Sequence, residues 1–335
     1  MRRFLQLVLI LLVSLAVAGG AAAWWLSQPL RLAEPVVELE IEPGTTPRAV
    51  AQAAVQAGVQ TDARLLYAWF RLSGKDRGIR AGNYEITQGT TPQSLLNKLV
   101  RGEESLRAIT FVEGWTFRQM RAAMAGESML KDDIQGMSDA EIMQALGKPG
   151  VPAEGRFFPD TYTFAKGSSS LAVLRRAAAA MDKRLAQAWE MRAPDTPLRS
   201  PDEALILASI VEKETGLASD RAMVAGVFTN RLRRGMLLQT DPTVIYGVEQ
   251  SGKSLEGGRL RKIHLQTDTP WNTYTRAGLP PTPIAMPGKA SLLAAVQPAS
   301  TQALYFVARG DGSSHFSVTL DEHNRAVNRH IRGKP

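Results

Sequence analysis

The residues with the most chemical promise stand in Leu207–Gly216, LASIVEKETG, where an apolar run ends in two glutamates, Glu212 and Glu214, just ahead of a glycine. On a helix Glu214 falls in line with Leu207, Ile210 and Val211, so it shares a face with core residues. Glu212 is rotated about 200° away, at about 100° per residue, and a regular helix cannot aim both acids at one substrate. Burial disfavours a carboxylate, and so does the partial negative charge at a helix C-terminus. Both effects push Glu214 toward keeping its proton near neutral pH, the state a general acid requires. The same logic raises the glutamate of lysozyme that sits in an apolar pocket. The plain alternative is a solvated helix end, with Lys213 pairing with a nearby acid.

Hydroxyls, amides and aromatic rings gather downstream. QTDPTVIYG carries Gln239, Asp241, Thr243 and Tyr246; NTYT carries Asn272 and Tyr274; Asn230 lies on the helix between. Such groups line a sugar groove, where they bond to hydroxyls and stack on ring faces. We therefore take Asn230, Gln239, Asp241, Thr243, Tyr246, Asn272 and Tyr274 as candidate substrate-binding residues. Each also has a structural explanation: Asp-Pro-Thr as a cap, Tyr246 as core, Asn272 as a partner for loop backbone. Other chemistries fit poorly. His264, His315, His323 and His330 show no HExxH spacing, although His315 and His323 are placed to border the site. Neither a GxSxG elbow nor a P-loop occurs. With no cysteine in the chain, disulfides and thiolate metal sites are out. No metal or cofactor is expected.

The elements that must position these residues are legible in outline. Ile41–Pro47 (IEPGTTP) is echoed by Ile86–Pro92 (ITQGTTP), each preceded by a strand-like run and followed by a helical one. Thr46 and Thr91 are placed as N-caps, with Pro47 and Pro92 at the first helical position. A looser third copy is ITFVEGWTFRQM, residues 109–120. DARLLYAWFRLSG reads as a helix ended by Gly74. Residues 126–155 are irregular with short helical pieces. Ser168–Arg192 reads as a long serine-capped helix, DEALILASIVEKET as the next, and a third from about Ser219 to Arg234 with a Ser/Asp cap. Residues 238–287 read as loop-rich. ASLLAAV is a helix, Ala303–Arg309 a buried strand, GDGSSHFSVT a turn and a second strand, and the last helix begins near Asp321.

At the N-terminus, Arg2 and Arg3 precede an uncharged apolar run, Phe4–Leu26. At about 1.5 Å per residue it spans roughly 34 Å, against a bilayer core of about 30 Å. A cleaved signal with Ala21–Ala23 at its cleavage site is the rival, but the run exceeds an h-region of about 7–15 residues. Trp24 and Trp25 fall where an interfacial aromatic belt lies. A retained anchor, with Arg2 and Arg3 cytoplasmic and the rest outside, is the expectation. The 335 residues suffice for one large or two ordinary domains, and 44% hydrophobic content supports a core. A net charge of +8 favours a polyanion: an anionic membrane surface or acidic wall polymer rather than nucleic acid, for which no motif appears.

The motifs IVEKET, NRLRRGMLLQTDPTVIYG, NTYTRAGLPPTPIAMPG and ALYFVA resemble those of the endolytic murein transglycosylases, the YceG-like family. The match is dense from Ala204 to Pro287 and thinner from Val36 to near Ile331. The resemblance implies an α+β protein with an N-terminal transmembrane helix (residues 1–30) and a LysM-like α+β subdomain (31–108). It implies a mixed α/β catalytic domain (109–335) with a lysozyme-like active-site helix. It further implies a single-pass protein of the bacterial inner membrane, with its catalytic domain in the periplasm. The substrate would be nascent peptidoglycan strands, cut between N-acetylmuramic acid and N-acetylglucosamine to leave 1,6-anhydro ends. Glu214 would be the catalytic residue, peptidoglycan synthases would be partners, and no second acid is expected beside Glu214. Two other readings stand beside this one: an anchored glycan-binding scaffold without turnover, and a hydrolase using Glu214 with Asp241 or Asp160.

Overall fold

The computed structural model describes residues 2–253, 255 and 259–333. The chain forms two compact units: Met1–Arg107 with Phe164–Gly167, and Ala108–Thr163 with Ser168–Pro335.

The first unit runs α1 (Arg2–Ser27), β1 (Arg31–Leu32), β2 (Val36–Ile41), α2 (Pro47–Ala57), β3 (Val59–Gln60), α3 (Ala63–Leu72), β4 (Gly82–Thr87) and α4 (Pro92–Arg101). Strand β2 alternates exposed and buried residues, and pairs antiparallel with β4, Val36 opposite Thr87 and Ile41 opposite Gly82. Val37, Leu39, Tyr84 and Ile86 thereby face a core closed by Val50 of α2, Phe70 of α3, and Leu95 and Leu99 of α4. The repeated Gly-Thr-Thr-Pro signal caps both helices as its residues predict. The Thr46 hydroxyl accepts from the Ala49 N–H at 3.3 Å. The Thr91 hydroxyl accepts from Ser94 at 3.1 Å, and the Ser94 side chain answers in a capping box. Such caps contribute about 1 kcal/mol each. Helix α1 contains an apolar span, Phe4–Ser27, long enough by length and composition to cross a membrane. Trp24 is exposed, whereas Trp25 packs against the core.

The second unit holds the acids. It takes up most of β5 (Leu106–Thr110), then α5 (Phe117–Ala125), α6 (Asp139–Ala145), most of β6 (Thr161–Ala165) and the long α7 (Ser170–Glu190). There follow α8 (Pro201–Glu214), α9 (Arg221–Arg233), α10 (Asp241–Gln250), α11 (Lys262–Gln266), α12 (Lys289–Val296), β7 (Tyr305–Ala308), β8 (Ser314–Ser317) and α13 (Leu320–His330). Helix α8 is central. Every residue from Ala204 to Val211 is buried, because α7, α9, α10 and α12 all pack against it. That explains a run apolar on every side rather than along one stripe. The third Thr copy also caps as expected: Thr116 and Gln119 form a capping box at the start of α5. Strands β7 and β8 pair antiparallel, Tyr305 opposite Ser317.

Three expectations need correction. Residues 241–250 are helical rather than loop. Pro242 suits the first turn, and burial of Val244, Tyr246 and Val248 overrides the strand preference of such residues. Strand β7 is half-buried rather than buried; the buried pair, Ala303 and Leu304, precedes it. Helix α9 starts at Arg221 after a short 3-10 turn and has no side-chain cap, because Asp220 instead accepts the Ser314 N–H at 2.6 Å.

Candidate active site

Glu214 is the last residue of α8, where Thr215 leaves the helix at φ −88°, ψ 107°. The Thr215 hydroxyl donates back to the Val211 carbonyl at 2.7 Å, which closes the final turn. Half-buried, Glu214 opens on a cavity of about 340 Å³ shared with Arg231, Gln239, Asp241, Tyr274 and His323. Phe228, Leu238 and Phe306 supply apolar wall. Burial is the main force on the Glu214 carboxyl and raises its pKa. A hydrogen bond donated by the Thr240 hydroxyl to Oε1 pulls the other way, Asp241 pushes it up further, and Arg231 opposes that. The net shift is upward, which favours an acid that still holds its proton.

The loop from α9 to α10 delivers Gln239, Thr240 and Asp241. Gln239 is at φ +47°, a left-handed conformation that few residues besides glycine adopt, and strain of this kind gathers at functional sites. It is held by its N–H to the Thr273 carbonyl at 3.1 Å, and the Thr240 N–H bonds the Thr273 hydroxyl at 3.0 Å. Tyr274 donates its phenol to Asp241 Oδ1 at 2.6 Å. Buried Arg231 spends its guanidinium on the carbonyls of Leu304 and Leu238, both at 2.7 Å, and lies 5.2 Å over the Tyr305 ring. His323 stacks on the same ring at 5.3 Å. Burial lowers the His323 pKa, and Arg231 and His315 add to this, which favours the neutral imidazole.

Of the sequence candidates, Glu214, Gln239, Asp241 and Tyr274 therefore share one cavity. The others stand behind or away from that cavity, and Tyr246 lines two others. Thr243 is buried, with its hydroxyl donating to the Thr240 carbonyl at 2.7 Å and 2.8 Å from that of Thr273. Asn272 is fully buried and donates to the carbonyls of His264, Leu265 and Thr267 while accepting the Tyr274 N–H at 2.8 Å. It satisfies loop backbone and so fixes Tyr274. Asn230 donates to the carbonyls of Thr301 and Ala303, at 2.8 and 3.1 Å. Tyr246 turns to a different acid, Glu154, at 3.2 Å. Lys213 donates to the Gly114 carbonyl at 3.3 Å rather than to an acid. The expectation of no second acid is overturned, since Asp241 lines the cavity with Glu214. Asp160 is not there; it is spent on its neighbour's N–H, from Thr161.

Sequence reasoning missed Thr240, Arg231 and Tyr305, whereas His323, read as bordering the site, does line the cavity. Thr240 precedes an Asp-Pro pair that draws attention to itself. Arg231 sits in NRLRRG, where one buried arginine is hidden among exposed ones.

The family model described as the YceG-like family matches residues 39–329. An endolytic murein transglycosylase of Bacillus subtilis (strain 168) is 31% identical over 342 aligned residues, covering 95% of this chain and 92% of that protein. One of Streptococcus pneumoniae serotype 2 is 27% identical over 303 residues; the match covers 81% of this chain but about half, 54%, of that longer protein. A crystal structure of a YceG-like protein from Listeria monocytogenes superposes with a TM-score of 0.53 at 28% identity, covering 88% of this chain and 99% of that one. A match over most of the length, together with the acid-ended helix and its cavity, places the chain in the YceG-like family.

Proposed function

We propose that this chain is a membrane-anchored endolytic lytic transglycosylase of nascent peptidoglycan, with Glu214 as general acid and then general base. The observation that carries the reading is the position of Glu214: a carboxyl with a raised pKa, at the end of a buried helix, opening on a polar cavity. The names of the bacillar and streptococcal relatives support the same activity.

The reaction needs no water. Protonated Glu214 gives its proton to the glycosidic oxygen between N-acetylmuramic acid and N-acetylglucosamine, and the C1–O bond breaks. Positive charge develops at C1, and Asp241, oriented by Tyr274, lies in the same cavity to stabilise it. The C6 hydroxyl of the muramic acid then attacks C1 and gives up its proton to the Glu214 carboxylate. An anhydro ring forms, and the acid is restored. Gln239 and Tyr274 hold the sugar. α1 would anchor the chain in the inner membrane with the second unit in the periplasm, near new strands and the synthases that make them. The first unit, a LysM-like module on the family resemblance, would hold or space the strand.

A second reading is favoured by Asp241. Two carboxylates flanking a glycosidic bond are the equipment of a hydrolysing muramidase. Mass spectrometry of uncrosslinked glycan strands treated with the full-length chain separates the two. Anhydro ends, absent with Glu214→Gln, support the transglycosylase; reducing ends replace it with the hydrolase; no cleavage by the unaltered chain leaves a glycan-binding protein.

A further inference from the structure

Glu212, the other acid of the EKE run, is also withdrawn from solvent and has no part in the reaction. Only 8% of its side chain is exposed. Its Oε2 accepts the Gly288 N–H at 2.9 Å, and its Oε1 faces the Arg221 guanidinium at 4.0 Å. Gly288 is the N-cap position of α12 and offers that helix no side chain of its own; Arg221 opens α9. One carboxylate on the last turn of α8 thus meets the starts of two neighbouring helices, the end at which negative charge is favoured. The join is tight. A Cβ at Gly288 would fall 1.8 Å from Glu113 Oε1, so any side chain there would have to displace the end of the Glu113 side chain. The Glu113 carboxyl is raised by burial and then by Glu212 beside it. The next residue of α8 is tied as well: Lys213 donates to the Gly114 carbonyl, and Gly114 donates to the Met286 carbonyl at 2.9 Å. Both residues ahead of Glu214 are therefore fastened outside α8, to segments that are fastened to each other.

We propose that Glu212 is a positioning residue, which through the Gly288 N–H fixes the last turn of α8 so that the Glu214 carboxyl stays aimed into its cavity. The proposal rests on Glu214 being the acid. Rotation by 200° is what makes the division of labour work: one acid points to the cavity, the other to the joint.

Reach and charge can be separated. Glu212→Gln keeps the reach to Gly288 and loses the charge; Glu212→Asp keeps the charge and is one methylene too short. We would measure kcat, KM and Tm for both in the full-length detergent-solubilised chain on uncrosslinked glycan strands, with Glu214→Gln alongside. A displacement of about 1 Å in a catalytic group can cost on the order of 100-fold. The expected result is a kcat within about threefold of the parent for Glu212→Gln. For Glu212→Asp it is a loss of roughly 30-fold, with KM within about twofold and Tm close to that of Glu212→Gln. Equal parent-like activity in both would overturn the proposal. So would an active Asp variant beside an inactive Gln one, which would make the Arg221 ion pair the point. Losses in both that simply track Tm would also overturn it. Retention of activity by Glu214→Gln would instead sink the reading of the acid itself, separately from the Glu212 results.

Discussion

Glu214 and Glu154 meet the same physical pressure in two regions of the second unit. Burial drives both carboxyls toward the protonated form, Glu154 to about 7. Their partners differ. Glu154 is 7% exposed and has both oxygens engaged, Oε1 by the Phe117 N–H at 3.0 Å and Oε2 by the Tyr246 phenol at 3.2 Å. It borders a cavity of about 450 Å³ but is fixed as an acceptor that holds α5 to α10. Glu214 meets the Thr240 hydroxyl and otherwise faces its cavity. A raised pKa therefore does not by itself mark a catalytic acid; the proton must also be deliverable.

The comparison breaks most simply at Glu214. Glu214→Gln should lower kcat by at least about 1,000-fold, since an amide has no proton to give the glycosidic oxygen. Tm should stay the same or rise, because an amide escapes the cost of burying a charge. A small activity loss accompanied by a large drop in Tm would reverse the assignment and make Glu214 structural. In the parent chain, kcat should fall as pH climbs through the raised Glu214 pKa, because the acid then arrives without its proton.

Glu154→Gln should act on stability instead. A carboxyl whose pKa is about 4.5 in the unfolded chain and about 7 when folded favours folding in its protonated form. Its contribution is present below pH 4.5 and is lost as pH rises through 7. At 1.36 kcal/mol per pH unit the change amounts to about 3 kcal/mol. The parent should thus lose stability between pH 5 and 8, and Glu154→Gln should remove much of that slope while leaving kcat within about threefold. Denaturant melts at the two pH values would decide it; an unchanged slope would mean that Glu154 is ionised throughout.

The sequence makes the first unit legible because its signals are local. Thr46 and Thr91 each bond within three residues, as Thr116 does in the second unit, so spacing alone reveals these helix starts. Glu214 is legible for the same reason, since a residue's face on a helix follows from its distance to Leu207, Ile210 and Val211. The rest of the site depends on contacts remote in sequence. Thr243, Asn272 and Tyr274 carry side chains suited to sugars, but only Tyr274 reaches the cavity. The other two are consumed by loop backbone that no periodicity describes. Helix α10 was hidden because its β-branched and aromatic residues prefer strands, and only packing against α8 outweighs that preference.

The smallest effect belongs to Thr240, and it sharpens the comparison from the other side. Its hydroxyl donates to Glu214 and so stabilises the ionised form, holding the pKa below the value burial alone would impose. Thr240→Val keeps the shape and removes the donor. Glu214 should then hold its proton to higher pH, and the alkaline limb of the kcat profile should move upward. One hydrogen bond of about 1 kcal/mol corresponds to somewhat less than one pH unit. At acidic pH kcat should drop only about threefold to tenfold, from losing the bond that orients the carboxylate when it acts as base. A limb that moved to lower pH, or did not move while Glu214→Gln was inactive, would show that the limb belongs to another group. Asp241, which shares the cavity, would be the first to test.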